Sequence, residues 1–158
     1  MKSLFILQLV CCVITAMLAL QLAMASLQVR WKVWRYEISR WILVASMLFF
    51  SVHYLLQMIH GLRAQGTDVG AAFNILFYTP VAFAITLSII NIESTGNKVR
   101  RYCLRGMMAY ILIAIVFVIG MFKSQSLHIG NMLYVMLGLF VASMAYFILI
   151  IRKETKAR

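Results

Sequence analysis

The sequence predicts an all-α membrane protein, a five-helix transmembrane bundle with its N-terminus outside and its C-terminus in the cytoplasm. Three observations predict it. Hydrophobic residues make up 64% of the chain and charged residues 12%, with one proline, a composition whose natural solvent is lipid. Apolar runs of the length that crosses the hydrocarbon core, about 20 residues, cover 4–27, 41–62, 71–92, 104–122 and 132–151. Twelve of the fifteen Lys and Arg residues fall in three clusters, Arg30 to Arg40, Lys98 to Arg105 and Arg152 to Arg158, and the other side keeps only Lys2, Arg63 and Lys123. Cytoplasmic loops carry the excess of Lys and Arg, so five crossings with this bias fix the orientation. Residues 1–158 read as a single transmembrane domain, integral and multi-pass in the cell (inner) membrane.

The first run resembles a secretory signal in having Lys2 before it and the small residues Ala23 and Ala25 near its end. It is longer than the 7–15 residues of a signal core, and the basic cluster that follows opposes export. Cys11 and Cys12 read as packing residues, and with Cys103 they offer no disulfide framework. Ala16, Ala19, Ala23 and Ser26 recur at intervals of three and four, the small-residue device by which helices pack closely in lipid.

The stretch Arg30 to Arg40 mixes basic and aromatic residues, with Trp31, Trp34, Tyr36 and Trp41 at the level where amphipathic rings meet headgroups. It is expected to lie partly in the interface plane ahead of the second run. In that run His53, Gln57 and His60 share one helical face. The loop Arg63 to Gly70 takes Gly66, Asp68 and Gly70 as turn residues. On the third run Asn74 and Tyr78 stand at similar depth to the histidines. Pro80, near its middle, frees the carbonyl of Leu76, and a kink there is expected to widen the outer half of the bundle.

The inner loop Glu93 to Arg101 is punctuated by Ser94, Gly96 and Asn97, which end one helix before the next. Glu93 reads as an ion-pair partner of Lys98 and Arg100. The fourth run contributes little polarity beyond Tyr110. The fifth begins with His128, Asn131 and Tyr134 at the outer end and carries a small-residue stripe of Gly138, Ala142 and Ala145. The connections are short, so sequential helices are expected to be antiparallel neighbours in one compact bundle. No internal repeat supports an inverted-repeat transporter.

Intramembrane polar residues are the default site candidates. Depth brings His53, Gln57, His60, Asn74, Tyr78 and Asn131 to one layer, and these six are expected to line an outward-facing, ligand-binding cavity. The competing expectation is a packing network, in which the same side chains hydrogen-bond across helices at about 1 kcal/mol or less per pair. No metal or cofactor is expected: His53 and His60 lie about 10 Å apart on one helix, and His60, Asp68 and His128 form only a scattered set. The acids Glu37, Asp68, Glu93 and Glu154 supply no catalytic carboxylate pair, and no catalytic motif is present, so enzymatic activity is not expected. The basic clusters suit anionic headgroups, without direct nucleic-acid binding.

The segments from Arg40 through His53 to Gln57, from Gly61 to Gly70 and from Asn74 to Pro80 resemble the N-terminal multi-helix membrane modules of bacterial transmembrane regulators and sensor kinases. The resemblance covers about the middle third of the chain. It implies a sensory module in a bacterial inner membrane, ahead of a cytoplasmic output domain; the sequence ends at Arg158 without one, which leaves a truncated chain or a stand-alone relative as the options. The expected role is a signalling module coupling an outer-leaflet ligand, lipid or partner to the cytoplasmic tail. The alternatives are an oligomeric channel or small transporter, and a non-catalytic subunit of a membrane complex. A homo-oligomer or a partner membrane protein is compatible with each.

Overall fold

The computed structural model describes residues 2–25, 33–61, 66–93 and 96–156. Five α-helices follow one another: α1 (Lys2–Met24), α2 (Val33–His60), α3 (Thr67–Glu93), α4 (Gly96–Ser124) and α5 (Met132–Lys156). All five are long and apolar enough to cross a membrane. The chain is therefore a multi-pass integral membrane protein. Arg30, Trp31, Lys32, Arg63, Ser94, Arg158 and Ser26 lie outside the described residues.

Polar contacts between helices set their directions. Gln8, early in α1, bonds Gln57, late in α2. At the opposite end, Ser39 of α2 donates to the carbonyl of Ser88 at 2.9 Å, and Asn91 Nδ2 donates to Ser39 Oγ and to the carbonyl of Arg35, both at 3.1 Å. Lys98 and Tyr102, early in α4, meet Glu154, late in α5. Consecutive helices are thus antiparallel. One end of the molecule carries His60, Asp68 and His128 and is called the histidine end. The other gathers Arg35, Arg40, Lys98, Arg100, Arg101, Arg105, Arg152, Lys153 and Lys156 and is called the basic end.

The helical bundle is open at one side rather than compact throughout. Among the described residues α1 packs on α2 alone, α2 packs on α3, and α3 reaches both α4 and α5, which pack on each other. Short connections fix which helices are neighbours but do not close a ring. Closure needs complementary faces, and α1 is apolar almost all round, with Phe5, Ile6, Leu7, Met17 and Leu20 more than half exposed. In lipid no hydrophobic force drives such side chains inward. The apolar core accordingly forms where three helices meet, from Ala72 and Ile75 of α3, Ile113 and Phe117 of α4, Ile129 of the following turn and Met136 of α5.

Several helices outrun the apolar segments that predict them. α2 already contains Arg35 to Arg40, so this basic-aromatic stretch from Val33 onward is helical rather than a separate interfacial segment. Its charges are accommodated locally: Arg40 pairs with Glu37 at 2.5 Å, bonds the carbonyl of Ala25 and lies 5.5 Å from the Trp41 ring centre. α4 starts at Gly96, which turns most of the expected inner loop into a helical face. Gly70, expected in a turn, is a buried residue of α3, and the turn proper is Gly66 with Asp68 in the first helical turn. α2 stops at His60 because Gly61 adopts φ 56°, the left-handed geometry of a helix C-terminus.

α3 runs through Pro80 as one helix. Thr79 Oγ1 donates to the carbonyl of Ile75 at 2.7 Å, next to the site of the missing donor. The open depression bordered by Pro80, about 290 Å³, is lined by Ile42, Ala45, Ser46 and Phe49 of α2. It lies toward the basic end, not in the half that the expected kink was to widen. The two small-residue stripes also part ways. Ala19 is buried and Ala16 and Ala23 half-buried, whereas Ala142 and Ala145 are exposed and Gly138 has open space where a Cβ would stand. Closer approaches occur at other glycines: a Cβ on Gly106 of α4 would overlap the ring of Phe83 on α3, and one on Gly120 would stand 2.9 Å from Ile129 Cβ.

Candidate functional site

A single polar chain crosses three helices near the histidine end. Gln8 Nε2 donates to Gln57 Oε1 at 3.1 Å, and Gln57 Nε2 donates to Asn74 Oδ1 at 2.7 Å. The same Asn74 oxygen lies 3.1 Å from His53 Nε2. A carbonyl oxygen only accepts, so Nε2 is the protonated ring nitrogen in this contact. His53 and Gln57 are each 1% exposed and Gln8 is 5% exposed. Their face of α2 arises from helical spacing, since residues four apart stack one above the other.

Aromatic rings wall the imidazole in. Phe77 stacks on His53 with ring centres 4.4 Å apart, and Tyr78 presents its edge at 5.7 Å. Phe50 and Tyr54 extend this cluster. Four of the six expected site residues, His53, Gln57, Asn74 and Tyr78, therefore lie together. They form a packed network, because the amides are long enough to bridge neighbouring helices directly, and Asn74 also borders an open depression. His60 is exposed at the end of α2. Asn131 is exposed in a separate depression of about 260 Å³ at the α4–α5 turn, beside Lys123, His128 and Gly130.

Gln8 was absent from the expected set. Cys12 and Thr15 follow it at helical spacing, but neither is polar enough to mark that face in an apolar run. Its depth was the available signal: it lies near the start of α1, as Gln57 lies near the end of α2. A further contact joins the same two helices, with Cys12 Sγ 3.2 Å from Ser51 Oγ.

Open space touches the network at Asn74. Among the described residues α1 and α3 do not pack against each other, and between them at the histidine end is a depression of about 370 Å³. Leu4 lines it from α1, and Thr67, Gly70, Ala71 and Asn74 line it from α3. Asn74 thus belongs both to the buried chain and to this wall. Farther out, Asp68 Oδ2 lies 2.8 Å from His128 Nδ1, clasping the start of α3 to the α4–α5 turn. Among the described residues no group of three or more His, Cys, Asp or Glu side chains gathers around a common point that would suit a metal ion. The three cysteines are free thiols.

Comparison with known proteins finds no matching family model, no matching curated protein and no matching solved structure.

Proposed function

We propose that this chain is a non-enzymatic sensory or regulatory module, in which occupancy of the gap between α1 and α3 at the histidine end is coupled to the basic end. The observation that carries the proposal is the double position of Asn74: the residue lines the gap, and its side-chain oxygen accepts bonds from both His53 and Gln57. A ligand, lipid chain or partner helix entering the gap competes for that amide. Differential affinity for two arrangements of the polar chain is what shifts a population between them.

α3 is the conduit in this scheme. It is the helix that joins the α1–α2 pair to the α4–α5 pair, and it is bonded to α2 near both ends. Between Asn74 and Ser88 the buried hydroxyls of α3, those of Thr79 and Thr86, bond to carbonyls of their own helix, which favours coupling over conduction through a single copy. The excess of Lys and Arg at the basic end supports a cytoplasmic position for that end and an outer position for the histidine end. The resemblance to membrane modules of bacterial regulators supports the same role and a bacterial inner membrane.

Spin labels at the exposed positions Trp34 and Lys156 test the coupling in lipid nanodiscs, by reporting the separation of α2 and α5 at the basic end. Asn74→Leu should change that separation by about 2 Å, the scale of helix shifts in switching proteins. An unchanged distance distribution would refute the proposed coupling.

A further inference from the structure

The basic end contains a second built feature, remote from the polar chain and independent of the sensory proposal. Lys98, Arg101, Tyr102 and Arg105 recur at three and four residues on α4, one face of the helix. That face meets Lys153 and Glu154 of α5 across a cleft of about 250 Å³. Glu154 is buried, 7% exposed, and forms the floor: Tyr102 Oη donates to Oε1 at 2.9 Å, and Lys98 Nζ lies 3.3 Å from Oε2. Arg105 donates to Tyr146 Oη at 3.2 Å, a neutral acceptor.

Four cations therefore line a cleft whose lining includes one carboxylate. Like charges held this close destabilise one another unless an anion joins them. One and two turns deeper, Met108 and Leu112 continue the α4 face, and Leu149 lies four residues before Lys153. All three are exposed apolar side chains. A positive cleft at the end of membrane-crossing helices, continued by an apolar track, has the two-part form of a phospholipid.

We infer that the α4–α5 cleft binds the phosphate of an anionic glycerophospholipid, with Arg101, Arg105 and Lys153 around the phosphate oxygens and the acyl chains along Met108, Leu112 and Leu149. Glu154 and Tyr102 set the floor. Basic pockets between transmembrane helices recognise such headgroups through charge-assisted hydrogen bonds.

Native mass spectrometry of the full chain in detergent, titrated with phosphatidylglycerol or with phosphatidylcholine, tests this. Phosphatidylglycerol should bind preferentially. Arg101→Gln with Lys153→Gln should weaken its binding about tenfold or more, and Arg101→Lys with Lys153→Arg should retain it. Arg152→Gln with Lys156→Gln removes the same charge from the same end outside the cleft and should change binding less than about twofold. Equal losses in the two neutralised pairs would overturn the cleft assignment in favour of diffuse attraction. Equal binding of the two lipids would overturn it as well. Displacement of phosphatidylglycerol by equimolar soluble glycerol phosphate would assign the cleft to a free phosphate ester and overturn the lipid reading. All four altered positions are exposed, and retained mass, helicity and elution volume separate lost binding from lost folding.

Discussion

Replacing Asn74 by leucine removes the oxygen that accepts from both Gln57 Nε2 and His53 Nε2, at 2.7 and 3.1 Å. Interhelical hydrogen bonds in membranes average about 0.6 kcal/mol and reach about 1.7, so the two together contribute roughly 1–3 kcal/mol. Orphaning matters in addition, because Gln57 and His53 are each 1% exposed and a buried donor left without an acceptor costs about 1–3 kcal/mol. The two estimates overlap in what they count, and the expected loss is about 2–3 kcal/mol. Removing the whole chain should behave differently. Gln8→Leu, Gln57→Leu and Asn74→Leu combined with His53→Phe remove the donors and acceptors of the described chain together, and replacing partners by apolar groups of similar shape is close to neutral. The quadruple variant should therefore be more stable than Asn74→Leu alone. Reversible unfolding in mixed lipid–detergent bicelles, followed by steric trapping, measures both. A loss below about 0.5 kcal/mol for Asn74→Leu, or a quadruple variant that loses the sum of the four single changes, would refute the described network.

Gly106→Ala places a methyl group against the Phe83 ring, and overpacking of this kind costs about 1–3 kcal/mol, to be read as a lowered unfolding midpoint. Gly138→Ala, where a Cβ meets nothing within 4 Å, should change the midpoint little and serves as its control. Ser39→Ala breaks the bridge from Asn91 to Ser88 and should lose about 1 kcal/mol, with a double-mutant cycle against Asn91→Leu showing strong non-additivity. For orientation, a fluorescent protein fused after Arg158 should light up and a periplasmic phosphatase at the same place should stay inactive; the reverse result would invert the positive-inside assignment.

The number of helices and their membrane-crossing character were legible because both rest on composition and run length. The helix ends were not. Arg35, Glu37 and Arg40 look like loop residues in sequence, yet a salt bridge three residues apart and stacking on Trp41 let the helix continue through them. Glu154 lies between Lys153 and Lys156 and vanishes into a basic cluster when read linearly. Only the extension of α5 to Lys156 and of α4 back to Gly96 brings it to Lys98 and Tyr102. The grouping of His53, Gln57, Asn74 and Tyr78 followed from helical spacing and depth. Whether such groups line a cavity or bond one another depends on how closely the helices approach, and no spacing rule carries that information. The same applies to α1, whose nearly uniform apolar surface leaves few clues that Gln8 is the side chain turned inward.

The bond between Gln8 and Gln57 also sets an order of events during synthesis. The two residues are 49 positions apart, and chains grow at about 5–20 residues per second, so Gln8 waits roughly 2–10 s for its acceptor to emerge. A lone amide in hydrocarbon is unfavourable through that interval, and its place near the start of α1 lets it remain at headgroup level until α2 arrives. The first helix is thus expected to reach its final depth only when the second has been made, which makes the α1–α2 hairpin, rather than either helix, the unit delivered into the bilayer.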